Sequence, residues 1–104
     1  MFATIRRYEG VDPARTSEIT GKVNETLIPE LSKLPGFAGY YLIDSSNGVL
    51  SSLGLFERQE QVDESTELVA KWIVEEHLDN VIPNAPKITS GKVVAHSDRM
   101  VAFV

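Results

Sequence analysis

A helix-terminating sequence that runs directly into a strand lies near the middle of the chain, at residues 34–44. Pro35 cannot continue a helix, and Gly36 can adopt backbone angles that are unfavourable for other residues. The aromatic and β-branched side chains that follow favour an extended strand. An Asn-Gly pair then gives a hairpin turn signal, after which residues 49–56 return as a second strand. The centre of the chain is therefore predicted to be a β-hairpin that starts where a helix ends.

Helical periodicity flanks this hairpin on both sides. Before it, apolar residues recur at steps of three or four over residues 13–34, which predicts a helix with one apolar stripe. Asp12 is placed to cap the start of this helix. Because the stripe crosses Pro29 without interruption, we predict one helix that bends at the proline. After the hairpin, a second apolar stripe over residues 62–77 predicts another helix.

The order of the predicted elements indicates the fold class. Residues 2–8 and 87–96 favour a first and a fourth strand, so the chain reads strand, helix, strand, strand, helix, strand. This is the ferredoxin-like βαββαβ order, an α+β fold in which a four-stranded antiparallel sheet carries both helices on one face. A length of 104 residues corresponds to a single domain, residues 1–104. We assign its core to residues 2–96 and an apolar C-terminal tail to residues 97–104.

Both faces of the predicted sheet carry large apolar side chains. On the second strand, alternation places Phe37, Tyr41 and Ile43 on one face and Tyr40 and Leu42 on the other. Two helices can cover only one face, so the other face would be an exposed apolar surface. A second copy of the chain would cover that surface, and we therefore expect a homodimer. The apolar tail is expected to pack on the partner or on an open sheet edge.

The composition of the chain argues against several classes of function. The formal net charge of -5 opposes binding to nucleic acid or to an anionic membrane surface, because both require clustered Lys and Arg. The absence of cysteine excludes disulfides, thiolate catalysis and cysteine-bound metals. No signal-peptide segment and no apolar run of membrane-spanning length occur, so we expect a cytoplasmic protein.

His77 is the candidate catalytic residue. No nucleophile, phosphate-binding or metalloprotease motif occurs in the sequence, so no metal site is predicted. His77 lies near the predicted C-terminus of the second helix, where it would act as a general base at the mouth of a cavity between helix and sheet. The alternative is a helix-end histidine that stabilises free carbonyl groups.

The candidate ligand-binding residues are one arginine and three aromatic side chains: Arg6, Tyr8, Tyr41 and Trp72. An inward-facing arginine would hold an anionic or phenolate ligand, whereas the alternative is a structural ion pair with Asp or Glu. The aromatic residues, together with Tyr40, would line a pocket for a small aromatic or apolar ligand. Their alternative role is to fill an ordinary core.

The chain resembles the dimeric α/β-barrel superfamily, in particular its antibiotic-biosynthesis-monooxygenase-like small domains. The resemblance covers residues 2–96. It depends on the strand at residues 2–8, the Leu-Pro-Gly-Phe sequence at 34–37, the Leu-Phe-Glu sequence at 55–57, Trp72, and the strand segment at 91–94. It implies a dimer in which two sheets face each other as a barrel, with the helices outside.

The resemblance leaves two classes of function open. Members of the superfamily include cofactor-free monooxygenases, haem-degrading enzymes, isomerases and decarboxylases. The haem-degrading members use an asparagine early in the first strand, where this chain has Arg6 and Arg7, so no haem and no other cofactor is expected. The leading hypothesis is a homodimeric small-molecule-binding protein and, more specifically, a cofactor-independent monooxygenase-like enzyme. The alternative is a non-catalytic ligand-binding or stress-associated module.

An internal cavity would discriminate between these hypotheses. Convergent polar groups in an enclosed cavity favour the enzyme, because bound substrate could then be oriented and shielded from water. A cavity filled by Trp72 and the tyrosines favours the non-catalytic alternative.

Overall fold

The computed structural model describes residues 1–97. The apolar tail proposed to pack on a partner or a sheet edge therefore falls almost wholly outside the described residues. The elements in chain order are β1 (Phe2–Tyr8), a 3-10 turn (Pro13–Arg15), α1 (Thr16–Lys22), a π-helical turn (Val23–Leu27), α2 (Ile28–Ser32), β2 (Phe37–Asp44), β3 (Leu50–Phe56), α3 (Gln59–Glu75) and β4 (Lys87–Lys92). The predicted ferredoxin-like α+β arrangement is confirmed.

The four strands form one antiparallel sheet in the order β2-β3-β1-β4. Residues paired across strands project to the same side of a sheet, and neighbours along a strand alternate. On β1, Thr4, Arg6 and Tyr8 are buried beneath the helices, whereas Ile5 and Arg7 point to the opposite, uncovered side. The central strand therefore carries polar and charged groups into the layer between sheet and helices.

The segment over residues 13–32 is helical without a break, in agreement with one helix across Pro29. Asp12 caps its start by accepting a 3.0 Å hydrogen bond from the backbone N–H of Ala14. Instead of a simple bend at the proline, a π-helical turn precedes it, in which the N–H of Ile28 donates to the carbonyl of Val23. Pro29 has no N–H and its ring crowds the preceding turn, so a wider turn there accommodates the ring.

A β-bulge near the start of β2 changes the predicted side-chain pattern. Phe37 pairs with Phe56 on the helix-facing side, and their rings meet edge to face at 5.7 Å between centroids. The prediction that Phe37 shares a face with Tyr41 and Ile43 is wrong, because the extra residue of the bulge, before Gly39, reverses the alternation.

β4 ends at Lys92, four residues before its predicted end at residue 96. Its partner in the sheet is β1, and Lys92 pairs with Phe2, the first residue of that strand. One further hydrogen bond joins Val93 N–H to the carbonyl of Met1 at 2.9 Å. Residues 93–96 are not part of a strand in the structure.

The apolar core fills the layer between the helices and one face of the sheet. Its most deeply buried members include Ile19, Leu27, Leu31, Phe56, Val62 and Leu78. The opposite side, which we call the open face (Ile5, Tyr41, Ile43, Leu53 and Leu55), has no helix over it within residues 1–97. Exposure there reaches 45% at Ile5, 59% at Tyr41 and 51% at Ile43.

Candidate ligand-binding site

Arg6 is a buried cation at the centre of the sheet. Its side chain is only 2% exposed, and it extends from β1 to the first turns of α3. There Nη2 donates hydrogen bonds of 2.9 Å to the hydroxyl of Ser65 and of 2.9 Å to the hydroxyl of Thr66. Both acceptors are oriented by the helix, because each hydroxyl in turn donates to the carbonyl of Val62. The guanidinium is thus held in place by neutral groups.

No acidic side chain among residues 1–97 forms an ion pair with Arg6. Within residues 1–97, Arg6 therefore does not form the structural ion pair with Asp or Glu that the sequence left open. In addition, Nε of Arg6 and the hydroxyl of the fully buried Thr4 have no hydrogen-bond partner within residues 1–97. Burial lowers the pKa of Arg6, but a guanidinium is so basic that it stays charged at neutral pH. As formed by residues 1–97, the layer consequently contains an uncompensated positive charge and two unpaired polar atoms.

Two tyrosines flank this cation. Burial raises the pKa of Tyr8 to about 12, although the positive charge of Arg6 opposes that rise. Burial also raises the pKa of Tyr40, against the effects of Ser52 and Arg6. Both phenols therefore keep their protons at neutral pH, where they can donate hydrogen bonds but cannot act as bases.

A small inner cavity of about 20 Å³ lies next to these tyrosines. Its wall is formed mainly by aromatic and aliphatic side chains, among them Tyr8, Tyr40, Leu42, Leu50, Val69 and Trp72. A volume of this size has room for about one water molecule. Arg6 does not itself line the cavity but lies beside it, next to the two tyrosines. The lining side chains thus nearly fill the space, which is the arrangement that favours the non-catalytic alternative.

An open groove of about 260 Å³ runs along the outer edge of β2, between that strand and the first helical segment. This edge groove shares four of its lining residues with the inner cavity: Val23, Tyr40, Leu42 and Leu50. These four side chains form the partition between the two volumes. The inner cavity and the edge groove therefore adjoin each other at these side chains.

Trp72 closes the other side of the inner cavity. It is 6% exposed, and its Nε1 donates a 2.7 Å hydrogen bond to the hydroxyl of Thr26. Its opposite side borders a second surface groove, of about 500 Å³, which lies between the helices near Pro29 and Glu75. Trp72 therefore separates the cavity from this groove, and its ring position is fixed by the bond to Thr26.

Three of the predicted site residues, Arg6, Tyr8 and Trp72, come together in the layer between sheet and helices. Tyr41 does not join them: its side chain is exposed on the open face, and it also borders the edge groove at the margin of the sheet. His77 is exposed and lies just beyond α3, with a left-handed φ of 57°. It lines neither the inner cavity nor the two grooves described above. Its assignment as a catalytic base stays a prediction.

The backbone around His77 gives it a clear structural position. The N–H of His77 donates to the carbonyl of Val74 at 3.1 Å, and the N–H of Leu78 donates to that of Ile73 at 2.9 Å. This pair of bonds is a Schellman motif, in which the residue at the left-handed position ends the helix. His77 thus lies at the helix end, as the alternative considered from the sequence requires, and its backbone N–H, not its imidazole, satisfies a carbonyl of the last turn.

The sequence patterns did not indicate the polar residues near Arg6, namely Thr4, Ser52, Ser65 and Thr66. One signal was present: Thr66 interrupts the apolar stripe of the second helix, and a hydroxyl group in a buried stripe needs a polar partner. The identity of that partner depends on how α3 lies across β1, which helical periodicity does not specify.

Within the part of the chain that the structure describes, no three His, Asp or Glu side chains lie close enough together to hold a metal ion. None of the described helices is both long and apolar enough to span a membrane.

No protein-family model matches the chain, and no curated protein does. Solved structures, in contrast, match over nearly the whole length. A monooxygenase from the gene ActVA-Orf6 of Streptomyces coelicolor, in complex with the ligand nanaomycin D, is 14% identical, with a TM-score of 0.71 over 95% of this chain and 92% of that one. A protein of unknown function from Nitrosomonas europaea, NE2512, is 12% identical, with a TM-score of 0.74 over 96% and 95%.

A third similar structure is a dimeric ferredoxin-like protein from an uncultured marine organism. It is 16% identical, with a TM-score of 0.69 over 95% of this chain and 92% of the other. At these low identities the matches establish the fold. The resemblance to antibiotic-biosynthesis-monooxygenase-like and dimeric ferredoxin-like proteins is confirmed at that level.

Proposed function

We propose that the protein is a homodimer that binds a small aromatic molecule in an enlarged form of the inner cavity and oxidises it with molecular oxygen, without a cofactor. The observation that carries this proposal is the cavity wall, in which Tyr8, Tyr40 and Trp72 surround an apolar space beside a buried cation. The similarity in fold to a monooxygenase in complex with a ligand supports the same proposal.

The wall suits a flat aromatic ligand. The aromatic rings offer surfaces for stacking, and the protonated phenols of Tyr8 and Tyr40 can donate hydrogen bonds to a ligand oxygen. Leu42 and Leu50 exclude water from the remaining sides. Exclusion of water protects reactive intermediates of an oxidation from side reactions.

A phenol is the proposed substrate class, because it can be oxidised by O₂ without a reductant or cofactor from the protein. One phenol and one O₂ give one quinone and one water. A ring C–H bond and the phenolic O–H bond break, one oxygen atom becomes the new quinone carbonyl, and the other leaves as water with both hydrogens. The substrate supplies all four electrons, so no external reductant is required. The protein's part is to bind the phenol, stabilise its ionised form and exclude water.

The homodimer in this proposal follows from the open face. Large apolar side chains there, including Ile5, Tyr41 and Ile43, are about half exposed in a single chain. A patch of this kind is typical of an interaction surface. A two-fold partner would cover it with the same face of a second sheet. The dimeric ferredoxin-like neighbour supports this arrangement.

A second candidate function is non-catalytic binding of a small ligand, which is favoured by the small volume of the cavity, about 20 Å³. The two candidates share the binding step and differ only in the oxidation.

Binding and oxidation can be tested separately with a dihydroxynaphthalene as probe. Trp72 is the only tryptophan of the chain, so its fluorescence reports events at the cavity wall. We expect saturable quenching by the probe in the wild type and its loss in Val69→Phe, which fills the cavity. Val74→Phe, at a position that is 63% exposed, is the matched control and should bind normally. Circular dichroism verifies that each variant is folded.

Oxygen uptake then distinguishes the two candidates. Consumption of O₂ together with formation of the quinone absorbance supports the monooxygenase. Saturable binding without oxygen uptake supports the non-catalytic module. Absence of quenching by the probe and by other aromatic molecules contradicts both.

A further inference from the structure

We propose that a second site, separate from the inner cavity, binds the sugar of an aromatic glycoside, which is an uncharged ring that carries several hydroxyl groups. The site is a groove of about 560 Å³ between the β2–β3 turn and the first helical segment, which we call the turn groove. Its polar lining residues are Thr16, Ser17, Thr20, Asp44, Ser46 and Asn47. None of them lines the inner cavity, so this inference does not depend on the oxidation proposed above.

The first argument is the supply of hydrogen-bonding groups in the turn groove. Among residues 1–97, no other group forms a hydrogen bond with the side chains of Ser17, Ser46 and Asn47. The hydroxyls of Thr16 and Thr20 donate to backbone carbonyls of their own helical segment, and their oxygens can still accept. The groove therefore offers both donors and acceptors, and each hydroxyl of a sugar can act as either partner.

The second argument is the charge of the turn groove. Asp44 is the only ionisable side chain that lines it within residues 1–97. Its Oδ1 accepts a 2.8 Å hydrogen bond from the N–H of Ser46, and its Oδ2 can accept from a ligand. A phosphate or carboxylate would lie near this negative charge without a Lys or Arg to compensate it, which disfavours an anionic ligand. A neutral hydroxylated ring can donate to the carboxylate without that repulsion.

The third argument is the fixed backbone of the turn that carries Ser46 and Asn47. Both residues and Gly48 have left-handed φ angles, of 68°, 56° and 77°. The carbonyl of Gly48 accepts a 3.0 Å hydrogen bond from the N–H of Val11, and a Cβ at Gly48 would lie 2.5 Å from the carbonyl oxygen of Val11. The turn is therefore held closely against the preceding chain before a ligand binds, which lowers the entropic cost of binding.

The fourth argument is the apolar groove next to the turn groove. The edge groove shares Thr20 and Asp44 with the turn groove, so the two adjoin. The apolar and aromatic side chains of the edge groove include Val23, Ile28, Tyr40 and Leu42. Hydroxyl groups alone give weak binding, because each one exchanges hydrogen bonds with water for hydrogen bonds with the protein. An aromatic ring attached to the sugar would add the burial of apolar surface in the edge groove.

Backbone amide resonances of ¹⁵N-labelled protein test the site directly. The probes are the 4-nitrophenyl β-glycosides of glucose, galactose and mannose. We expect at least one of them to shift the amides of residues 16–20 and 44–48 in a saturable manner. The methyl glycoside of the same sugar should shift the same amides with about tenfold weaker affinity, because it lacks the ring. 4-Nitroanisole, which has the ring without the sugar, should leave the amides of residues 45–48 unshifted.

Three variants assign the effect to the polar side chains. Asn47→Gly removes the amide group and retains a residue that tolerates the left-handed backbone. We expect it to bind the preferred glycoside about three- to tenfold more weakly, and Ser17→Ala to show a loss of the same size. Ser45→Ala is the matched control, because Ser45 lies in the same turn but does not line the groove. It should bind like the wild type.

Three results would overturn the sugar site. They are unshifted amides at residues 44–48 with every glycoside, equal shifts there with 4-nitroanisole, and wild-type affinity in both Asn47→Gly and Ser17→Ala. Shifts with spermidine but with no glycoside would also overturn it, and would identify the ligand as an organic cation attracted to Asp44. Quenching of Trp72 fluorescence by a dihydroxynaphthalene reports the inner cavity separately. The failure of the turn groove and the failure of the proposed function are thus distinguishable.

Discussion

The indole nitrogen of Trp72 and the hydroxyl of Thr26 are joined by a 2.7 Å hydrogen bond that connects α3 to the π-helical turn. The same hydroxyl donates to the carbonyl of Lys22 at 2.8 Å. Thr26 thereby satisfies a backbone carbonyl and fixes the ring that closes the inner cavity. The irregular turn before Pro29 is thus coupled to the shape of the candidate site.

Thr26→Val should therefore destabilise the protein although it preserves the shape of the side chain. It leaves the buried indole N–H without an acceptor, and we expect a loss of about 1–3 kcal/mol in the free energy of unfolding. Urea denaturation followed by Trp72 fluorescence measures this loss. Thr26→Ser, which keeps the hydroxyl, should retain most of the stability. A Thr26→Val variant as stable as the wild type would mean that the bond contributes nothing.

Pro29→Ala should be tolerated. Pro29 is exposed, and the π-helical turn already accommodates its ring. Alanine adds a backbone donor and is a good helix former. We expect the free energy of unfolding of Pro29→Ala to lie within about 1 kcal/mol of the wild-type value. Circular dichroism should show that the helicity of the variant equals or exceeds that of the wild type. A loss of several kcal/mol would show that the proline is needed to hold the irregular turn.

The sequence predicted the element order and the sheet because these depend on local patterns. The Pro-Gly helix stop and the Asn-Gly turn define the hairpin without reference to the rest of the chain. Phe37 was assigned to the wrong face because a one-residue bulge reverses every side chain before it. Such a bulge is stabilised by tertiary packing, here of Phe37 on Phe56, and leaves no periodic signal.

The candidate site was harder to predict for a related reason. Both faces of β1 mix charged and apolar residues, so alternation could not decide whether Arg6 or Arg7 faces the helices. The hydroxyls of Ser65 and Thr66 come from an element nearly sixty residues away along the chain. Their contact with Arg6 depends on the orientation of α3 over the sheet, which is set by packing of the whole core.

His77→Gly should stabilise the protein. His77 holds a φ of 57° at the end of α3, a conformation that costs about 1 kcal/mol for a residue with a Cβ and little for glycine. We expect a gain of about 1 kcal/mol in the free energy of unfolding, and no such gain for His77→Ala. The same variants test the catalytic prediction: loss of turnover in both, with the fold intact, would favour a base, whereas retained turnover favours the helix-end role.

Stability should fall at alkaline pH because of Tyr8. Its pKa is about 12 in the folded protein against an ordinary value of 10. Below pH 10, Tyr8 is protonated in both the folded and the unfolded chain, and its contribution to the free energy of unfolding is complete. This contribution is lost as pH rises through 12, because the unfolded chain releases the proton first. The expected loss is about 2 kcal/mol. It is measured by urea denaturation across this range.

Tyr8→Phe should reduce this pH dependence, although Tyr40, whose pKa is also raised, retains part of it. An alkaline profile that Tyr8→Phe leaves unchanged would contradict the assignment.

Ile5→Glu should convert the proposed dimer into a monomer. Ile5 is 45% exposed and lies at the centre of the open face, where it pairs with Leu53 and Thr89 on the neighbouring strands. At a two-fold interface the substitution brings two carboxylates into an apolar contact, which is strongly unfavourable. The interface of an obligate homodimer buries on the order of 2,000 Å² or more of accessible surface in total. Val74→Glu, at a 63% exposed position on α3, is the matched control.

Sedimentation velocity at low micromolar concentration measures the result. We expect the wild type and Val74→Glu near twice the chain mass of 11.5 kDa, and Ile5→Glu near that mass itself. All three should keep the same far-ultraviolet circular dichroism, because Ile5 faces away from the core. A wild-type protein that sediments as a monomer would refute the dimer, and the open face would then need a different partner.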